Sequence, residues 1–253
     1  MTWLRVESSR DYNDFMAVFP SFSDGRLSMG ITTIWSANRT EESCLVHALQ
    51  ATYHGVKRTF DVAFSTGVLV TTLVPSVLLG VAVALESPGG PLFRQTRVGK
   101  GGKEIHILKF RTMYADSHEH PERYLSPDQL ARWKREQKVD DDPRVTRLGK
   151  FLRRTSLDEL PQFLNVFLGD MSVVGPRPVT LAETYEFGDY RDEVLSVRPG
   201  ITGWWQVTDR NNATWANGKR QERELWYVRN ASLATDARII FKTLGAMARG
   251  TGK

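Results

Sequence analysis

From Val62 to Leu85 the chain carries no charged residue. At about 1.5 Å rise per residue, a helix of that length reaches across a hydrocarbon core of about 30 Å. Runs this long without charge are uncommon in soluble domains, so the pattern predicts a membrane helix ahead of a buried core helix. Pro75 falls inside the run, removes one helical hydrogen bond and favours a bend. Lys57 and Arg58 precede the run, and Arg94, Arg97, Lys100 and Lys103 follow it, so the positive-inside rule sets both flanks on the cytoplasmic face. A straight span cannot satisfy both flanks. A helix broken near Val74 and Pro75 that re-enters the same leaflet can, which gives a membrane anchor over residues 51–90 with its re-entrant helix at about 62–85.

The remaining pattern is shorter in period. Residues 1–50 show none that is sustained and read as a weakly structured extension. Glu86 to Pro91 is a turn cluster, and Ile105 to Phe110 a candidate short strand or extended segment. Residues 121–138 alternate charge with Leu125, Leu130 and Trp133, which fits an exposed amphipathic helix or lid and equally a plain solvated face. Asp140 to Arg144 ends that element, and Pro161 to Leu168 supplies a helical apolar face. Trp204 and Trp205 suit a membrane interface or a packed core. From Leu233 to Met247, Ile239, Ile240, Phe241 and Leu244 lie beside Arg238, Lys242 and nearby Arg249, the pattern of a basic amphipathic helix on anionic lipid. The fold class that results is helix-rich α/β: a compact catalytic domain over 91–253, an N-terminal re-entrant membrane helix, and interfacial amphipathic helices.

Composition narrows the partners. With 253 residues the chain makes one catalytic domain with appendages, and its formal charge of +5 suits an anionic partner: a phospholipid surface, a nucleotide sugar or nucleic acid. The charge-free run disfavours nucleic acid. The single Cys44 excludes an intrachain disulfide and fits a reducing compartment. Met1 to Arg10 is polar with both charge signs, unlike a signal peptide. His118 and His120 flank Glu119 without a cysteine partner or a helical i, i+4 pair, so they read as loop histidines and not as a metal site.

The chemistry concentrates in Arg153-Arg154-Thr155-Ser156-Leu157-Asp158-Glu159-Leu160-Pro161-Gln162 and the following Gly175-Pro176-Arg177-Pro178. Adjacent carboxylates repel, and a helix start or a divalent cation is what keeps both ionised near neutral pH. Ser156 with Glu159 matches a capping box, and Asp158 is an alternative N-cap with Pro161 in the first turn. Arg153, Arg154 and Arg177 bring more guanidinium than a helix start needs, and arginine holds phosphate oxygens in a planar fork. A magnesium-dependent phosphate site fits this set.

These motifs, together with Lys57-Arg58-Thr59-Phe60-Asp61, Phe93 to Gly99, Lys109-Phe110-Arg111-Thr112-Met113 and Arg198 to Gly203, follow one another in an order that resembles the bacterial sugar transferases, the monotopic phosphoglycosyl transferases. The resemblance covers roughly three quarters of the chain. It implies transfer of a sugar 1-phosphate from a UDP-sugar to undecaprenyl or another polyprenyl phosphate with release of UMP. The setting it implies is the cytoplasmic face of the inner membrane, at the first membrane step of exopolysaccharide, capsule, O-antigen or glycoconjugate synthesis. On the same resemblance Asp158 is the nucleophile that carries a covalent phosphosugar, and Glu159 binds Mg2+. Lys109, Arg111, Arg153, Arg154 and Arg177 are the cations that meet the pyrophosphate, with one of Arg153 and Arg154 turned inward. Relatives tend to have Asp three residues before a Tyr-Val pair, and Glu224 stands there, a carboxylate one methylene longer assigned to phosphate or metal geometry. Arg210-Asn211-Asn212 and Trp215 resemble a late motif linked to sugar recognition. The expected partners are a UDP-sugar, polyprenyl phosphate and membrane lipids, with no nucleic acid, and with a homodimer left open. A catalytically silent membrane-attached scaffold of the same fold is the competing reading, and the intact acid pair argues against it.

Overall fold

The computed structural model describes residue 48 and residues 50–136, 139, 141–209 and 212–248. Nearly all of the expected N-terminal extension, with Cys44, lies outside the described residues, as do Arg210 and Asn211 of the late motif, Asp140 and Arg249. The chain divides into two compact units, residues 1–54 and 55–253. In the first, residues 48 and 50–54 are helical.

Helix α1, Gln50–Thr71, and helix α2, Leu73–Glu86, meet at an angle of 62°. The break falls at Thr72, a little before the expected Val74 and Pro75, for a steric reason. A proline ring collides with the carbonyl four residues earlier, here Thr71, so Pro75 is accommodated in the first turn of a new helix where its missing N–H costs nothing. Threonine hydroxyls add to the bend: Thr71 Oγ1 donates to Gly67 O at 2.8 Å, and Thr72 Oγ1 to Val68 O at 2.7 Å, taking up carbonyls of the last turn. Among the described residues no single helix is long and apolar enough to cross a membrane. Helix α2 buries Val83 yet leaves Leu73, Val74, Leu78 and Leu85 exposed.

The Lys-Arg-Thr-Phe-Asp motif bolts α1 to the body of the unit. Asp61, buried, accepts from Val173 N at 2.9 Å and Ser172 Oγ at 3.1 Å, while Arg58 donates to Val166 O and Phe167 O. Lys57 pairs with Asp236 at 2.6 Å.

Strands β1, Leu92–Val98, and β2, Glu104–Phe110, form an antiparallel hairpin in which Leu92 faces Phe110 and Val98 faces Glu104. On β2 the alternation of a half-buried strand sends Ile105 and Ile107 into the core. Then come α3, Pro127–Glu136, α4, Arg147–Thr155, and α5, Gln162–Leu168. The Asn165 side chain joins α5 to β2, accepting from Leu108 N at 3.0 Å and donating to His106 O at 2.8 Å. A parallel pair follows, β3, Ser172–Val174, with β4, Gly200–Thr202; α6, Leu181–Thr184, and α7, Arg191–Val194, lie between them in sequence. Helices α8, Trp204–Thr208, α9, Lys219–Arg229, and α10, Leu233–Ala248, complete the described chain. Ile105, Ile107, Val166, Met171, Val173, Val174, Tyr227 and Ile239 make the main core. The architecture is thus helix-rich α/β with two small sheets.

Arg111, expected at the phosphate, is among the residues that line the cavity described below. It is 8% exposed, and its guanidinium donates to Ser87 O at 2.7 Å and Pro88 O at 2.6 Å, with longer contacts to Val83 O and Gly89 O. A cation among the orphan carbonyls that close α2 ties this helix to the end of β2. Arg111→Met should therefore lower stability by roughly 3 kcal/mol, since several charge-assisted bonds are lost and carbonyls are left buried without donors. The urea midpoint reads this directly, and a residue that served only as a phosphate ligand would leave it unmoved.

Candidate active site

Helix α4 begins at Thr146, whose Oγ1 accepts from Gly149 N at 2.9 Å, and ends at Ser156, held at φ 57° in the left-handed region. A single 3₁₀ turn, Leu157–Glu159, follows before Pro161 opens α5. The expected capping box is not formed. Ser156 is used to reverse the chain at the end of α4, its side chain makes no capping bond, and α5 starts without a side-chain cap. Leu157 and Leu160 pack onto Val83, Phe110 and Leu152, and the two acids between them line a cavity of about 740 Å³. Left-handed backbone at a serine carries strain, and such strain is retained where the surroundings fix it.

Lys109, at the end of β2, reaches Glu159 Oε1 at 3.2 Å. Arg153 donates from Nε to Thr112 Oγ1 at 2.9 Å and also lines the cavity. Thr112 is itself fixed, because its carbonyl accepts from Thr146 N at 3.1 Å and α4 passes so close at Gly149 that an added Cβ would lie 2.1 Å from that oxygen. Both arginines keep solvent exposure, but Arg153 lines the cavity and Arg154 does not, so Arg153 is the inward member of the pair. Burial, and then the neighbouring Glu159, push the Asp158 carboxyl above its usual range, while the charges of Lys109 and Arg153 pull it back. Burial lowers the Arg153 guanidinium, which Asp158 partly offsets.

Arg177 reaches the cavity from another wall. Its loop is fastened on both sides: Gly175 N donates to Thr202 O at 2.9 Å, Gly200 N to Pro176 O at 2.8 Å, and Val98 N to Val179 O at 2.8 Å. Arg177 N donates to Glu224 Oε1 at 3.2 Å, and its guanidinium lies 5.6 Å from the centre of the Trp205 ring. Two further arginines gather here. Arg97 contacts Glu183 Oε2 at 3.2 Å, and Arg220 reaches Glu183 Oε1 at 3.7 Å while lying over the rings of Trp205 and Trp215 at 4.7 and 4.1 Å. Burial lowers both guanidinium groups, and the charge of Arg177 lowers each further. Nε of Arg97 and Nε and Nη2 of Arg220 are buried without a hydrogen-bond partner. Three arginines thus share Glu183 and Glu224, an arrangement that leaves an excess of positive charge for an anion.

Neither Arg97 nor Arg220 was expected at the site. Arg97 lies in the Phe93 to Gly99 motif and was counted only as a flanking charge, and Arg220 has no sequence signal of its own. Trp205 is 8% exposed and belongs to the packed interior, and Trp204 stacks on Trp226 at 4.3 Å. His118 meets the edge of Trp133, and His120 pairs with Glu122.

Glu224, expected to set phosphate or metal geometry, stands behind Arg177. It is 1% exposed, does not line the cavity, and holds the backbone of Arg177 from behind. Burial raises its carboxyl from 4.5 to about 7, against the opposing pull of the Arg177 N–H and the Arg220 and Arg177 charges. A carboxyl with a raised pKa binds its proton more tightly when folded, so its ionisation destabilises the fold: stability should fall as pH rises from about 4.5 to about 7 and then level off. The drop is on the order of 3 kcal/mol. Glu224→Gln should flatten this slope, as urea midpoints at pH 5 and pH 8 will show.

Among the described residues no group of three or more His, Cys, Asp or Glu is placed to hold a metal ion. Mg2+ is commonly bound by one or two carboxylates with substrate phosphates completing its shell, and Asp158 and Glu159 are the carboxylates that line the cavity. Glu159 next to Asp158 can supply that share.

The sequence profile of the bacterial sugar transferases matches residues 52–250. A UDP-galactose-lipid carrier transferase of Erwinia amylovora is 41% identical over 199 residues, covering 78% of this chain and 41% of that protein. An undecaprenyl-phosphate galactose phosphotransferase of Salmonella typhimurium is 40% identical over 200 residues, covering 78% and 41%. The exopolysaccharide production protein ExoY of Rhizobium meliloti is 41% identical over 199 residues, covering 78% and 87%. The chain thus spans about two fifths of the first two relatives and most of the third.

Proposed function

The chain belongs to the bacterial sugar transferase family, and on that premise we propose that it moves a sugar 1-phosphate from a UDP-sugar to undecaprenyl or a similar polyprenyl phosphate, releasing UMP. The observation that carries this reading is the adjacent pair Asp158 and Glu159 inside a cavity walled by Lys109, Arg153 and Arg177. A carboxylate approaching a pyrophosphate needs cations where negative charge gathers, and these three supply them. Relatives named for undecaprenyl phosphate and for UDP-galactose support the acceptor and donor classes.

In the proposed cycle an Asp158 carboxylate oxygen attacks the phosphorus that bears the sugar. The bond from that phosphorus to the UMP oxygen breaks, and UMP leaves with the electron pair. The acceptor's phosphate oxygen then attacks the same phosphorus and expels Asp158 as a free carboxylate, so one difficult transfer is split into two easier displacements at one site. Magnesium held by Glu159 would neutralise pyrophosphate charge. Arg177, backed by Arg97 and Arg220, meets the departing phosphate, and Arg153 and Lys109 hold Asp158 ionised.

The bent pair α1 and α2, with its exposed apolar residues, supports a re-entrant anchor in the membrane over residues 51–90. The catalytic part, 91–253, then sits at the cytoplasmic face, where soluble nucleotide sugar and lipid phosphate meet. This is the first membrane step of exopolysaccharide, capsule, O-antigen or glycoconjugate assembly. The test is incubation of detergent-purified protein with Mg2+, undecaprenyl phosphate and a panel of UDP-glucose, UDP-galactose and UDP-N-acetylglucosamine. Release of UMP matched by a lipid-linked sugar phosphate is expected for one of them, and the absence of both with every donor would favour the silent scaffold.

A further inference from the structure

The cavity that holds the acid pair has a second character. Besides its charged wall it is lined by Phe64 of α1, Phe163 of α5, Ile201 of β4, and Ile240 and Leu244 of α10. The rings of Phe64 and Phe163 are 6.0 Å apart, and Leu244 is 56% exposed. Helix α10 divides its residues three ways: Ile239 is fully buried in the core, Ile240 and Leu244, one turn apart, line the cavity, and Phe241 is left 74% exposed. The helix is fixed in that orientation where Thr243 Oγ1 and Thr202 Oγ1 lie 2.8 Å apart.

A UDP-sugar offers one flat ring, its uracil, for aromatic contact and has no extended aliphatic chain to lay along the branched residues of α10. A polyprenyl phosphate has one charged end and an apolar body, which matches a cavity with Lys109, Arg153 and Arg177 on one wall and phenyl and branched aliphatic groups on another. Resting on the function proposed above, we propose that Phe64, Phe163, Ile240 and Leu244 form the acceptor's chain subsite. The first isoprene units lie along α10 and α1 and aim the lipid phosphate at the phosphosugar on Asp158. Selectivity for a lipid phosphate over inorganic phosphate or a sugar phosphate then follows from burial of the isoprenes, not from extra cations.

The test compares Leu244→Glu with Ala237→Glu, a control at an exposed position of the same helix outside the cavity lining, in detergent micelles. Undecaprenyl phosphate and a short-chain farnesyl phosphate are the acceptors. Leu244→Glu is expected to raise KM for undecaprenyl phosphate about ten-fold or more, consistent with loss of one buried aliphatic contact. It should leave acceptor-free UMP release from the UDP-sugar unchanged, and Ala237→Glu should leave both unchanged. An equal rise in both variants, or no rise in Leu244→Glu, overturns the subsite. A polyprenyl phosphate carrying a diazirine in its first isoprenes gives a readout that needs no turnover: it should label α10 near Ile240 and Leu244. Labelling confined to other segments overturns the subsite too, whereas a wild type without transfer from any donor would count against the function instead.

Discussion

Asp158→Asn is expected to lower phosphosugar transfer by about four orders of magnitude or more while leaving the urea midpoint near that of the wild type. The amide has the same shape, so the 3₁₀ turn between α4 and α5 and the packing of Leu157 and Leu160 are undisturbed. What is lost is the anionic oxygen. The same environment predicts an acid limb in the pH profile. Burial and Glu159 raise the Asp158 pKa above its usual range, so the nucleophilic anion forms at higher pH than for an ordinary aspartate, and kcat/KM should climb with pH through that elevated value. Lys109 opposes the shift, so Lys109→Met should move the limb to higher pH. A residual rate within ten-fold of wild type in Asp158→Asn would remove this residue from the chemistry.

Arg177→Lys should cost about 10²–10³ in kcat/KM, the size of effect seen when one preorganised donor to a developing charge is removed. Lysine keeps the charge but gives up the planar fork and the face-on approach to Trp205. The main-chain bond from Arg177 N to Glu224 is retained in the variant, and so are the ties of Gly175 and Pro176 to β4. Stability should therefore hardly change, and the loss should appear in the donor half-reaction as well as in overall transfer. A change under three-fold would show that charge alone serves at this position and that the convergence of Arg97 and Arg220 behind it has no catalytic consequence.

The parts of this fold that follow from periodicity were legible in the chain. The charge-free run is helical, Glu104–Phe110 is a strand with Ile105 and Ile107 inward, and α10 carries the amphipathic pattern seen from Leu233 onward. Contacts whose partner is remote in sequence are not legible in this way. Nothing near Arg111 announces that its guanidinium will close α2, because its acceptors lie 22 to 28 residues earlier. Ser156 and Glu159 have capping-box spacing, yet the helix before them claims Ser156 for its own end. Arg97 and Arg220 meet through Glu183, which no local pattern links to either. The acid pair was visible because its two carboxylates and their arginines are neighbours in the chain; the cavity around it is assembled from seven or more separate segments and was not.

The most direct test of the central claim is mass analysis of the protein after incubation with UDP-sugar and Mg2+ in the absence of any lipid acceptor. Asp158 carrying a phosphosugar, formed with UMP in equal amount and discharged when undecaprenyl phosphate is added, is the predicted result. Release of UMP only in the presence of acceptor, with no adduct formed, or an adduct on a residue other than Asp158, would contradict it.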